Sequence, residues 1–213
     1  MSSISLEPIL ERFAELLADR FAHRSHTSED SIRYTFFLAL VEAGVSPRDI
    51  TLEEDFPDHP DCHIDTIVYE REGRRSLLLE FKYHRARDVA KDVKQPTTQL
   101  AGDLFRDLFR LAYVQAYWKC PAYFVYVTDA GMAGYFRRRE GILGQFLDLP
   151  LGDSLHFGRD TLGGRAATFT KSLGQFYGYP GTLSRLYSKS LPHDHILRVY
   201  TVEHLPSTVY EYR

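Results

Sequence analysis

From Leu6 onward, apolar residues recur every three or four positions: Leu6, Ile9, Leu10, Phe13, Leu16, Leu17 and Phe21. This spacing predicts an amphipathic helix over residues 6–22. His23–His26 reads as a loop. Thr27-Ser28-Glu29-Asp30 then opens a second helix, with capping side chains and acids at the positive end of its dipole. That helix runs through Ile32, Tyr34, Phe36, Phe37 and Leu40 and stops near Gly44, with Pro47 marking the break. Asp49–Glu54 alternates as a first strand, and Pro57–Asp61 reads as a loop. Two strand-like runs follow, His63-Ile64-Asp65-Thr66-Ile67-Val68-Tyr69 and Ser76-Leu77-Leu78-Leu79-Glu80-Phe81-Lys82-Tyr83. The polar stretch between them holds Gly73 and suits a hairpin turn.

His84–Pro96 is charged and weakly patterned, which predicts exposed chain. Gln99–Ala112 is a strong amphipathic helix, and Ala122–Thr128 is apolar almost throughout, as in a buried central strand. The order α-α-β-β-β-α-β predicts a mixed sheet with helices on its faces. Beyond it, residues 141–147 read as a short helix and 195–202 as a strand. The stretch 158–189, rich in Gly, Ser, Thr and aromatics, reads as loops and hairpins.

Composition narrows the setting. A chain of 213 residues can bury one sizeable core, so one domain is expected. With 44% hydrophobic and 26% charged residues and no apolar run of membrane-spanning length, a soluble globular protein is expected. The first residues show no basic segment leading into an apolar core, so no signal peptide is expected. Cys62 and Cys120 are the two cysteines, with no CxxC, which argues against a disulfide framework and fits a reducing cytoplasm. The net charge of -3 argues against a general nucleic-acid coater, but an acidic metal site beside a local basic surface is compatible with it.

The two strand runs carry the candidate chemistry. Side chains alternate along a strand, so Glu80 and Lys82 share one face while Leu79, Phe81 and Tyr83 share the other. Carboxylates and an ammonium set into apolar strands are costly to bury, and they can hold a divalent cation and orient a water against a phosphate. Asp65 followed by Glu80-Phe81-Lys82 on adjacent strands, behind an acid-bearing helix and ahead of an amphipathic one, resembles the core of the PD-(D/E)xK nuclease superfamily. The resemblance covers about residues 27–130 and leaves 131–213 as a C-terminal extension. The residue before Asp65 is Ile64 where that superfamily's motif has proline.

The resemblance implies an α/β restriction-endonuclease-like fold and a Mg²⁺-dependent phosphodiesterase, with Mn²⁺ able to substitute. Asp65 and Glu80 would be metal ligands, with the Phe81 carbonyl as a third. Lys82 would orient or deprotonate the attacking water. Glu29 matches the upstream acid placed near the metal, and Gln99 a polar position used in the site. The implied substrate is double-stranded DNA in restriction or defence. Two symmetry-related sites, hence a homodimer, would cut both strands. The alternative is a binding or assembly module of the same fold without turnover. Ser28-Glu29-Asp30 also suits a plain helix start, with Asp30 the nearby competitor. Gln99 also suits an ordinary first helical turn. His59, Cys62 and His63 lack a second ligand pair for zinc. Arg137-Arg138-Arg139 and His84-Arg85-Ala86-Arg87 are either solvated surface or phosphate contacts. No P-loop, G-x-G-x-x-G or G-x-S-x-G is present.

Overall fold

The computed structural model describes residues 5–56, 59–70, 73–88, 93–94, 96–162, 165–177 and 179–205. Helix α1 (Leu6–Ala22) spans the predicted residues. Helix α2 (Glu29–Glu42) follows a capping box: Ser28 Oγ accepts the Ser31 N–H at 3.2 Å, and Ser31 Oγ accepts the Ser28 N–H at 3.3 Å. A 3-10 turn at Pro47–Asp49 leads into β1 (Ile50–Phe56), β2 (His59–Tyr69) and β3 (Arg75–His84). The expected loop before the Asp65 strand is thus cut short, because His59 already pairs with Phe56. The β1–β2 register shifts between Asp55 and Phe56, a bulge at this end of the pair.

Within the stretch expected to be exposed chain, β4 (Arg87–Asp88) and β5 (Val93–Lys94) form a small ribbon. Helix α3 (Thr97–Trp118) extends beyond its predicted span at both ends, and β6 (Ala122–Thr128) follows. The remaining elements are α4 (Ala130–Arg137), α5 (Ile142–Asp148), β7 (Ser154–Phe157), α6 (Arg159–Leu162), α7 (Ala167–Ser172), β8 (Gly181–Leu191) and β9 (His195–His204). Loops and hairpins were expected over 158–189, but that stretch holds two short helices and most of β8. Much of β8 is exposed and polar, and its pairing along β9 makes it a strand.

The seven-stranded sheet has the order β1-β2-β3-β6-β9-β8-β7. Strands β3 and β6 run parallel, with α3 as their crossover, and every other neighbouring pair is antiparallel. The residues after 130 extend the same sheet, since β9 pairs with all seven residues of β6. This is a mixed α/β architecture with helices on both faces of the sheet.

Strand β3 divides its side chains between two cores. Leu77, Leu79 and Phe81 join α1 and α2, where Phe36 packs edge-on against Phe13 at 5.1 Å and near Phe81 at 5.5 Å. Leu78 joins the opposite core with Leu104, Phe105 and Leu108 of α3. Each fully buried Phe or Leu contributes about 1.5–3 kcal/mol relative to exposure. Glu80 and Lys82 continue the Leu78 face and so point at α3. Asp129 joins the ends of β3 and β6: its carboxylate accepts the Ala86 N–H at 3.0 Å and caps α4 through the Met132 N–H at 2.7 Å.

Candidate active site

The β2–β3 ladder stops at Thr66–Leu79, although β2 continues beside β1 toward His59. The next residue on β2 is Asp65. Its Oδ2 accepts the Phe81 N–H at 2.7 Å. A carboxylate thus takes a donor that no β2 carbonyl is placed to receive, and the two strands part around it. Glu53 lies beside this point on β1, between the Leu52–Thr66 and Glu54–Ile64 pairs, in the left-handed region at φ 55. A non-glycine residue held there stores about 1–3 kcal/mol, a feature that clusters at functional sites. Arg33 of α2, buried, crosses the opening to Asp30 at 2.6 Å, Glu53 at 2.9 Å and Asp65 at 3.4 Å.

Glu80 is 1% exposed. Its Oε2 accepts from Arg110 Nη2 of α3 at 2.7 Å, while its Oε1 is buried with no donor among the described residues. Burial pushes its pKa well above the usual carboxylate range. Arg110 opposes that shift, and the charges of Asp65 and Asp107 reinforce it. Two carboxyls therefore converge where β2 and β3 part, one of them with an idle oxygen. That is the donor chemistry a hard divalent cation takes. Among the described residues, no group of three or more His, Cys, Asp or Glu side chains forms a ready metal site. Guanidinium groups balance the carboxylates in its place.

Lys82 lies 2.8 Å from Asp107 Oδ2 and 3.3 Å from Glu29 Oε1. Burial alone lowers its pKa, but Asp107 and Glu29 outweigh burial and the ammonium is held above its ordinary value. Both neighbouring carboxylates favour the protonated, cationic form of Lys82. Asp107, also 1% exposed, is held ionised: burial raises its pKa, and Lys82, Arg110 and Arg106 more than reverse the shift. Neighbouring His84 is driven down to about 3 by burial and by Lys82, so it is neutral at working pH.

The fold brings Asp65, Glu80, Lys82 and Glu29 together. Glu29 opens α2 beside β3 with both oxygens engaged, Oε2 accepting the Tyr83 N–H at 2.9 Å. Burial raises its pKa against Lys82 and that N–H. Asp30, its competitor, is exposed and pairs with Arg33. Gln99 is not brought in. It is exposed in the first turn of α3, eight residues before Asp107 and so about 12 Å along the helix. Sequence reasoning missed Asp107 and Arg110. They follow Asp103 at i+4 and i+7, a polar stripe in an amphipathic helix that reads as solvated surface. The His59, Cys62 and His63 side chains diverge: His59 stacks on Phe56, Cys62 is buried, and exposed His63 pairs with Asp55 at 2.6 Å.

The resulting chain of alternating charges, Glu80–Arg110–Asp107–Lys82–Glu29, links β3 to α3 and α2 through contacts of 2.7–3.6 Å. It can fix an ammonium beside two carboxyls and a buried idle oxygen. Among the described residues, no helix is long and apolar enough to cross a membrane. No family model, curated protein or solved structure matches the chain, so its function has to be read from these side chains.

Proposed function

We propose that this chain is a metal-dependent nuclease of the PD-(D/E)xK type with a restriction-endonuclease-like core, hydrolysing phosphodiester bonds of double-stranded DNA. The observation that carries the reading is the parting of β2 and β3 at Asp65, with Glu80 and Lys82 converging on the same opening. Asp65 and Glu80, with the Phe81 carbonyl, would hold Mg²⁺ or Mn²⁺, and Glu29 stands behind Lys82. When bound, such an ion offsets charge on the phosphate and lowers the pKa of a water. Lys82, kept protonated by Asp107 and Glu29, places a positive charge beside the reacting phosphate and orients the water. Glu80 would stay held by Arg110 through one oxygen and offer the other to the ion. Two copies of the chain would cut the two strands of a duplex.

The test is nicking of supercoiled plasmid with Mg²⁺ or Mn²⁺, with EDTA as control and RNA as a second substrate. EDTA-sensitive nicking is the expected result. Cleavage of neither substrate at millimolar metal would overturn it. A second reading, a non-catalytic binding or assembly module of a defence or repair complex, is favoured by one observation. Arg110 and Lys82 already balance Glu80 and Asp107 without any metal. That reading predicts no change in thermal stability when divalent ions are added.

A further inference from the structure

The run Arg137-Arg138-Arg139 is divided by the fold. Arg137 reaches Asp148 with Nε at 2.7 Å and Nη2 at 3.0 Å. Arg139 instead lies over the Tyr135 ring, 4.5 Å from its centroid. There it lines a cavity of about 200 Å³ with Arg165, Thr98 and Phe169. Arg165 Nη2 donates to the Glu140 carbonyl at 3.3 Å, and its Nε is buried with no acceptor among the described residues. Gly141, at φ 64, leaves this guanidinium room, since a Cβ there would stand 2.9 Å from Nη2. Tyr135 Oη donates to Thr98 Oγ1 at 3.3 Å and closes the wall.

Two guanidinium groups therefore line one cavity, and among the described residues neither has a carboxylate partner. A ring face holds one and a carbonyl holds the other, and both are neutral. Like charges so placed repel until an anion joins them, and the planar fork of each matches a phosphate. The cavity also borders the first turn of α3, which carries no acidic residue and no side-chain cap. Its place in the fold is informative. Strands β3 and β6 are parallel and α3 connects them, so the start of α3 lies at the end of the sheet toward which Lys82 and His84 lead. Thr98 is nine residues before Asp107, about 13–14 Å along the helix.

We propose that Arg139 and Arg165 form a subsite for a backbone phosphate of the DNA strand, away from the phosphate at which Lys82 acts. The ligand class rests on the nuclease reading, but the subsite requires binding only, not cleavage. It positions the strand and reads no bases, so its loss weakens all sequences alike.

The test measures binding of a short fluorescent DNA duplex to the full chain, with Ca²⁺ in place of Mg²⁺, across a salt series. Arg139→Gln and Arg165→Gln should each make the slope of log K against log salt shallower by about 0.9. Arg137→Gln, whose guanidinium is engaged by Asp148, should leave the slope unchanged. Should Arg165→Gln fail to fold, the exposed Arg139 decides alone. Wild-type slope and affinity in both variants would overturn the subsite while leaving plasmid nicking, and the nuclease reading, intact. A slope loss in a protein that never cuts would uphold the subsite and remove the nuclease reading. A wild type that binds no duplex overturns the subsite. So does a nucleoside monophosphate that displaces the duplex, because the cavity would then belong to a free phosphate.

Discussion

Asp107, in the middle of the crossover helix α3, lies 2.8 Å from the ammonium of Lys82 on β3. Its charge favours the protonated form of that lysine. Asp107→Asn removes the largest charge opposing desolvation, so the Lys82 pKa should fall. Lys82 stabilises the fold fully below its unfolded pKa of about 10.4, and that contribution fades as pH rises through the higher folded value. The alkaline unfolding limb of Asp107→Asn should therefore begin at lower pH. Lysine titration by NMR measures the shift directly, and an unchanged Lys82 pKa in the variant would break the link.

Cleavage should separate the ligands from the cation. Asp65→Ala and Glu80→Ala are expected to abolish both divalent-ion binding and nicking. Lys82→Ala should still bind the ion while losing about 10²–10⁴ in rate. Isothermal titration with Mn²⁺ beside plasmid nicking distinguishes the two classes. Wild-type turnover in Lys82→Ala would make this lysine a structural charge only.

Glu80 gives the metal-free protein an unusual pH dependence. An unfolded glutamate titrates near 4.3, and the folded Glu80 well above its ordinary value. Between the two, the folded state holds the extra proton. The Glu80 contribution is thus complete below the unfolded pKa and is lost as pH rises through the folded one. Glu80→Gln should flatten this slope and raise the metal-free Tm at neutral pH. A divalent ion favours the ionised form and should stabilise the wild type by about 2.7 kcal/mol at a hundredfold excess over its dissociation constant. Tm measured against pH, with and without Ca²⁺, reads both effects, and a Glu80→Gln profile parallel to wild type would refute the assignment.

Gly102 lies where α3 packs on α7. A Cβ there would stand 2.7 Å from both the Phe169 carbonyl oxygen and Ser172 Cβ. Alanine in a helix interior ordinarily gains about 0.8–1.0 kcal/mol over glycine. Here overpacking should dominate, and Gly102→Ala should destabilise by about 1–3 kcal/mol in urea unfolding. A gain in stability would mean that α7 yields to the added methyl.

What could be read from the chain, and what could not, follows from how local each signal is. Helix α1 and strand β6 match their predicted spans because one shows an unbroken helical stripe and the other an unbroken apolar run. The shared face of Glu80 and Lys82 follows from strand alternation alone, whereas Glu29 comes from the family resemblance, since its helix start alone suits plain capping. Asp107 and Arg110 were hidden because a charged stripe on an amphipathic helix looks solvated until a strand bearing opposite charges packs on it. Gln99 comes from the resemblance, and a helix start says nothing of how far along its axis the site lies. Strand β8 escaped because most of its residues are polar and its pairing is non-local.

Strand β9 pairs with all of β6, and β8 and β7 build outward from it. During synthesis on the ribosome, every residue of the Asp65–Lys82 cluster emerges well before the strand that flanks β6. Until His195–His204 docks, β6 is a bare apolar edge inviting the wrong partner. The cluster therefore sits on an unfinished sheet until β9, at least 85 residues further along the chain than Arg110, takes its place beside β6.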